Sequence, residues 1–405
     1  MTEKGWALIT VLVVLFVMFA LVGAFLFLAT GARLINERYH ENAAALYLAE
    51  AGVDYSIWEI NYGGADFSGW TGDPAIEATK SINNIQDSDG NIYGNVNISV
   101  YNFGQNIVTV RSAGTFTSLT GPQVSRTIQV ILKEHKLFNY AILTSEGIDM
   151  SGSVTIDSYD SAQGPYGGSN VFQNGDIVTN NQGDPAITIS GNNVAVNGDA
   201  ATGPGGTIDD PHGDITGGTY DNAEIFMPSV SVPASLTSLV SGGVINHSET
   251  LSTGDYKYDS LDLNANKTLT LNGDVNLYLT EDPSIQLTGA GQIVVNGSAS
   301  IYFDGDLQLS GKGVLNTSAD PSSFALYGTD SATDVSITGV GAFYGTLYAP
   351  STHLSASGNS DIYGAVATKD TSVSGVAGNT AIHFDEQLIE DSPTMGYDPY
   401  NWEEK

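Results

Sequence analysis

Trp6 to Ala29 is an unbroken apolar run of 24 residues in which Thr10 is the one polar member. At about 1.5 Å of rise per residue it makes about 36 Å of helix, enough to cross a hydrocarbon core of about 30 Å with some tilt. A cleaved secretory signal carries a shorter apolar region, about 7–15 residues. The pattern then changes. Residues 32–60 lack proline, Gly52 is their only glycine, and Tyr39, Ala43, Leu46, Val53, Ile57 and Ile60 recur at helical spacings. The spacing predicts an amphipathic continuation of the same helix, stopped at Asn61-Tyr62-Gly63-Gly64. Residues 63–94 read as an irregular exposed loop. Asn95–Asn102, Ile107–Thr117 and Ser125–Leu132 alternate β-branched or aromatic with polar residues and predict three antiparallel strands.

From Ala141 the pattern becomes short: an apolar alternation, a Ser/Thr/Asn-Gly pair, another alternation. Residues 338–355 align without gaps on 357–374 at an offset of 19, and a third copy follows in which Gly378, Ile382 and His383 match Gly358, Ile362 and Tyr363. QLTGAG (286–291) matches QLSGKG (308–313) at an offset of 22, and ITISGNNVAVNG (187–198) parallels IQLTGAGQIVVNG (285–297). Strands of four to six residues repeating every 19–24 predict an all-β solenoid whose units are stable only when stacked. Residues 203–258 break the rhythm and are expected to project as an insertion, with one short helix in 233–240.

Charge sharpens this division. The chain carries 13 Lys+Arg against 45 Asp+Glu, a net charge of −32, and a pI near 4.1. Residues 139–405 hold 33 of those acids, five lysines and no arginine. No surface here neutralises phosphates, so nucleic acid is excluded as a partner. With no cysteine there is neither a disulfide framework nor a thiolate metal site.

Two segments resemble known families. Lys4-Gly5 followed by Trp6-Ala7-Leu8-Ile9 resembles a class III prepilin leader, and Ala45-Leu46-Tyr47-Leu48-Ala49-Glu50-Ala51-Gly52-Val53 is similar to the A-x-Y-x-A-E-A-G segment of PilX-type minor pilins. The resemblance covers residues 1–60. It implies cleavage after Gly5 by a prepilin peptidase at the inner membrane, N-methylation of Trp6, and assembly with other pilins. One departure is Thr10, the fifth residue from Trp6, where major pilins carry Glu. That carboxylate pairs with the terminal amine of the subunit above; a tip subunit has none above it. The same Thr10 is equally expected of a low-abundance member that has lost the residue. The second resemblance spans residues 139–405, on SGSVTIDSYDSAQGPYG (151–167), YKYDSLDLNANKTLTLNGDVNLYL (256–279), AFYGTLYAPSTHLSASGNSDIYGAV (342–366) and the closing IHFDEQL (382–388) and NWEEK. These look like the domain of unknown function found behind PilX-type N-termini, and imply a right-handed parallel β-helix on a surface appendage.

The expected organisation is a leader (1–5), a membrane half-helix (6–30), its amphipathic continuation (31–62), a small antiparallel sheet (63–138), a β-helix (139–390) and an acidic tail (391–405). The fold class is thus an α+β pilin-like module followed by an all-β right-handed parallel β-helix. Catalysis is not expected. Polysaccharide lyases need a strong base and cations for the uronate, and the five lysines Lys257, Lys267, Lys312, Lys369 and Lys405 are scattered. A hydrolase needs carboxylates within about 5–10 Å; Asp209-Asp210 with His212, and Asp157 with Asp160, are the segments that would supply them. No cofactor is expected. Calcium candidates are Asp304 and Asp306, Asp209 and Asp210, and Asp87 and Asp89. The last pair opens an EF-hand-like run that fails at Ile92 and Ile98, where the loop needs Gly and Glu. The function expected is a minor pilin or pseudopilin, at the tip or in low abundance. It would display an acidic domain for adhesion to a surface glycan or protein, or prime assembly. The alternatives are a membrane-anchored glycan hydrolase and an anchored surface protein that never enters a filament.

Overall fold

The computed structural model describes residues 3–61, 67–86, 92–117 and 122–405. The chain divides into two units, residues 1–135 with 394–405, and residues 136–393.

In the first unit, α1 runs unbroken from Glu3 to Asn61, and it contains a stretch long and apolar enough to cross a membrane. Residues 11–30 leave their side chains bare, Phe19 73% and Phe27 79% exposed. The second half of α1 packs on an antiparallel sheet of β1 (Thr71–Asp73), β2 (Glu77–Gln86), β3 (Ile92–Tyr101), β4 (Ile107–Phe116) and β5 (Val124–Lys136). Leu48, Ala49, Val53 and Ile60 of the helix share a core with Val96, Ile98, Val100, Val108, Val110, Ile128, Val130 and Leu132. The buried stripe is rotated from the one the sequence suggests. Tyr39 and Ala43 are exposed, while Ala45, Ala49, Gly52 and Ser56 face the sheet. The reason is close approach. A Cβ on Gly52 would lie 2.2 Å from Ser112 Oγ, and one on Gly114 would lie 2.3 Å from Ala45 O. The A-E-A-G segment is the part of the helix that β4 touches, which is why its inward residues are small.

Two expectations for this unit need correction. Residues 63–94 are not wholly irregular, because β1 and β2 add two strands beside β3. A register shift between Ile82 and Ile85, with Asn84 at φ 57°, breaks the two-residue period there and hides β2 from pattern reading. Residues 391–405 are not a free tail either. Thr394–Glu404 is the sixth strand, beside β5, with Lys405 N donating to Thr127 O (2.9 Å) and Arg126 paired to Glu404 (2.9 Å). Asn61, the last helical residue, donates to Tyr397 O (3.0 Å) and accepts from Tyr397 N (2.8 Å), and Tyr397 is buried in the core. Acidic composition masked this strand.

The second unit is a stack of β-coils in parallel pairing, each set against the next turn of chain. Glu249 aligns with Leu269, Thr268 with Gln292 and Ile285 with Leu307, steps of 20, 24 and 22 residues. Inward positions form aliphatic columns: Ile245, Leu261, Ile285, Leu307 and Val335 stack in successive coils, all buried. Full burial of each such side chain contributes about 1.5–3 kcal/mol, which no isolated coil could collect. At one corner Gly273 (φ 90°) lies under Gly297 (φ 134°), a conformation that excludes larger residues.

The coils do not stack in chain order. Ile142–Tyr159 enters the middle of the stack. From there the chain climbs through Ile177, Ala200 and Thr219, which pair in sequence. Residues 221–243 then run back along the side to the opposite end. Ile225 N donates to Asn180 Oδ1 (2.8 Å), Tyr348 Oη to Pro228 O (2.6 Å) and Lys257 Nζ to Thr237 O (3.1 Å). From Val244 the chain winds towards the middle, and its last coil docks in parallel on the first, from Val366 with Ile142 to Asp385 with Tyr159, with register shifts after Thr368 and after Ser374. The predicted insertion at 203–258 is thus corrected. Residues 203–220 and 244–258 are coils at the two ends, and only 221–243, including the short helix Ala234–Thr237, leaves the stack. The Gly-rich stretch is tight corner rather than projection; a Cβ on Gly203 would lie 2.2 Å from Asn180 O.

Candidate functional site

The seam where the last coil meets the first gathers the polar and aromatic groups of the second unit. Tyr344, Tyr363 and His383 occupy one outward column, as the 19- and 20-residue alignments require. Tyr344 stacks on Tyr363 at 4.4 Å and 10°, and Tyr363 meets His383 at 4.7 Å. Tyr166, from the loop leaving the first coil, covers His383 at 3.9 Å. Asp157, opposite His383 in the pairing, accepts from His383 Nδ1 (2.5 Å) and Tyr166 Oη (2.7 Å). Asp157 and His383 are buried, so the pair is a crosslink between coils 226 residues apart.

Beside this column opens a pocket of about 520 Å³ lined by Tyr159, Ser161, Pro165, Asp320, Tyr344 and Asp391, among others. It is built where the loop after the first coil, the corner at 318–320 and the short helix Leu388–Asp391 converge. Asp320 caps its corner, with Oδ1 accepting from Ser322 N (2.9 Å) and Oγ (2.8 Å); Asp391 Oδ1 accepts from Gln387 Nε2 (3.3 Å). The second oxygen of each has no partner among the described residues. Behind the lining, Asp385 Oδ1 accepts from Ser161 N (2.9 Å) and Gln387 N (3.2 Å), while its Oδ2 is buried without a partner; within the lining, Tyr159 Oη is likewise buried without a partner. Burial pushes the Asp385 carboxyl and the Tyr159 phenol above their ordinary ranges.

The site residues expected from the sequence are not drawn into this pocket. Asp209 is exposed, and Asp210 closes a turn by accepting from Gly213 N (3.0 Å), Asp214 N (3.0 Å) and Ile215 N (3.3 Å). Asp304 accepts from Tyr278 Oη (2.6 Å) and Thr329 Oγ1 (2.7 Å). Asp306 accepts from Thr333 N (3.2 Å), Thr333 Oγ1 (2.9 Å) and Asp334 N (2.9 Å). These carboxylates cap coil corners. Among the described residues no three His, Cys, Asp or Glu side chains group as metal ligands. Asp87 and Asp89 lie outside the described residues. Gly5 and Trp6 fall in the first turns of α1. Sequence reasoning missed Tyr159, Asp320, Tyr344 and Asp391. The aligned column of Tyr344, Tyr363 and His383 was the available signal, whereas Asp391 reaches the pocket only through the fold.

The tyrosines give a pH prediction. Burial raises Tyr278, Tyr327 and Tyr363 to about 12, and raises Tyr159, Tyr166 and Tyr348 further. Above about pH 10 the unfolded chain loses these protons while the folded one keeps them, so stability falls as pH rises through that value. Tyrosinate absorbance and loss of β circular dichroism should therefore rise together between about pH 10 and 12. Titration of these phenols with the dichroism intact would contradict the burial described.

Residues 192–390 match a family described as Domain of unknown function (DUF7305). No curated protein matches the chain. Among solved structures, the competence-associated pilin ComZ from Thermus thermophilus is similar at 12% identity, covering 90% of this chain and 97% of that one, with a TM-score of 0.26. A glycosylated ice-binding protein from an Arctic yeast is similar at 15% identity over 61% of this chain and 90% of that one, TM-score 0.27. The DUF3494 domain of a Shewanella frigidimarina ice-binding protein is similar at 13% identity over 61% and 94%, TM-score 0.27. Likenesses this distant leave function to be argued from the chain's own residues.

Proposed function

We propose that this chain is a PilX-type minor pilin or pseudopilin that carries a right-handed parallel β-helix. It is cleaved after Gly5, methylated at Trp6, and held in the membrane by residues 6–29 until assembly with other pilins. What carries the reading is α1: one helix of 59 residues, bare and apolar over residues 11–30 and packed on an antiparallel sheet in its second half. A bare apolar half-helix needs lipid first and a bundle of like helices afterwards. Thr10 in place of a carboxylate, and the 267 residues that follow position 138, favour a tip or low-abundance place over repeated packing along a filament. The second unit acts as a displayed surface for adhesion or priming, without catalysis or a resident cofactor.

Replacing Gly5 by arginine is expected to leave an uncleaved, membrane-bound precursor, and peptide mass analysis of sheared appendages should find the wild-type chain. Normal maturation of the variant would sink the prepilin reading. A chain that matures but stays out of the sheared fraction would point to a permanently anchored surface protein. The pocket with Asp320 and Asp391 is the one observation that favours a hydrolase, since it sets two carboxylates on one concave surface.

A further inference from the structure

We propose that the pocket bounded by Tyr159, Ser161, Asp320, Tyr344 and Asp391 is a binding site for a neutral, hydroxyl-rich ligand, a short uncharged oligosaccharide. Its volume of about 520 Å³ lies within the usual range of small-molecule sites, about 300–1,000 Å³.

The donor and acceptor complement selects the ligand class. The lining contains no lysine, arginine or histidine, so an anionic ligand, including a uronate, meets two carboxylates and no cation. Asp320 and Asp391, both exposed, each offer an oxygen that accepts nothing from the protein and is open to ligand donors. Tyr159 is 1% exposed and its hydroxyl donates to nothing, which calls for a ligand acceptor. An ammonium group donates but cannot accept, and so answers only the carboxylates. A sugar hydroxyl does both. The half-buried Tyr344 ring, braced from behind by Tyr363, supplies an apolar face for the C–H side of a pyranose. Three ligating groups for a metal do not meet here. An unsatisfied buried hydroxyl is costly, so the pocket carries a penalty that a bound hydroxyl removes.

The site deepens the display reading, which says where the ligand would be met, but its test does not depend on processing at Gly5. The full chain, purified in a detergent without a sugar headgroup, is titrated calorimetrically with cello-, malto- and N-acetylated chito-oligosaccharides. Oligogalacturonate and a diamine serve as charged counterparts. Saturable binding of at least one neutral series is expected. Tyr344→Ala should weaken it roughly tenfold, and Asp320→Asn and Tyr159→Phe should weaken it several-fold. Tyr159→Phe separates binding from structure. Removal of an unpaired donor should hold or raise the melting temperature, so a stability gain with unchanged affinity would overturn the assignment. Preference for the uronate or the diamine, or no binding by any neutral series, would overturn it as well. Cleavage of the probe would overturn it in favour of hydrolysis. A Gly5 variant that matured normally while the sugar still bound would remove the pilin reading and leave this one standing.

Discussion

Substituting leucine for Gly114 is expected to unfold the N-terminal unit while leaving the coil stack intact. A Cβ there would lie 2.3 Å from Ala45 O, 2.4 Å from Ala49 N and 2.7 Å from Leu48 Cβ, so the obstacle is mainly the helix backbone, which cannot rotate away. The helix would have to lift off β4, uncovering Leu48, Val53 and Ile60 together with the valines beneath them. Overpacking with a flexible neighbour costs about 1–3 kcal/mol; against a main chain the loss should exceed about 3 kcal/mol, a large part of the roughly 5–15 kcal/mol that a domain has. Calorimetry of the full chain should show two transitions, one of which disappears in the variant. Gly31→Ala, with nothing within 4 Å of the new Cβ, is the matched control and should leave both in place. If Gly114→Leu melted as the wild type does, the helix would not sit where described.

Removal of the Asp157 carboxylate should open the seam of the second unit. Asp157 is 3% exposed and His383 5%, and the acid is the common acceptor of His383 Nδ1 and Tyr166 Oη. Asp157→Ala leaves two polar groups without a partner in a closed space. Truncating one member of such a pair costs about 3–5 kcal/mol. Asp157→Asn keeps an acceptor and should cost less. The denaturation midpoint of the second unit should fall in that order, and proteolysis should begin near 160–170, the loop that Tyr166 anchors. An unfolding free energy for Asp157→Ala within about 1 kcal/mol of wild type would show the pair to be dispensable.

Much of this architecture is legible locally. The 24-residue apolar run, the three-strand meander and the 19- to 24-residue repeat each follow from short-range periodicity, and the structure places helix, strands and coils on those residues. What was illegible is long-range. Nothing around Thr394–Glu404 announces that it pairs with β5, because its partner lies some 260 residues earlier and its acids resemble a solvated tail. The docking of 366–385 on 142–159 leaves no offset to detect, since the two segments belong to opposite ends of the domain sequence. The helix stripe was misplaced for a different reason. Hydrophobic periodicity weights large side chains, whereas the contact with β4 is made by Ala45, Ala49 and Gly52, whose value is their smallness. The pocket inherits the same difficulty, as it is assembled from the first coil, a distant corner and the final short helix.

Followed along its axis, the stack runs from 244 to 385 and then from 142 to 220, so it is a single continuous winding cut at the seam and rejoined through 221–243. It is a circular permutant of a plain solenoid. New coils can therefore be added next to residue 220 or 244 by tandem duplication, lengthening the displayed surface at either extremity without disturbing the seam, its aromatic column or the pocket beside it.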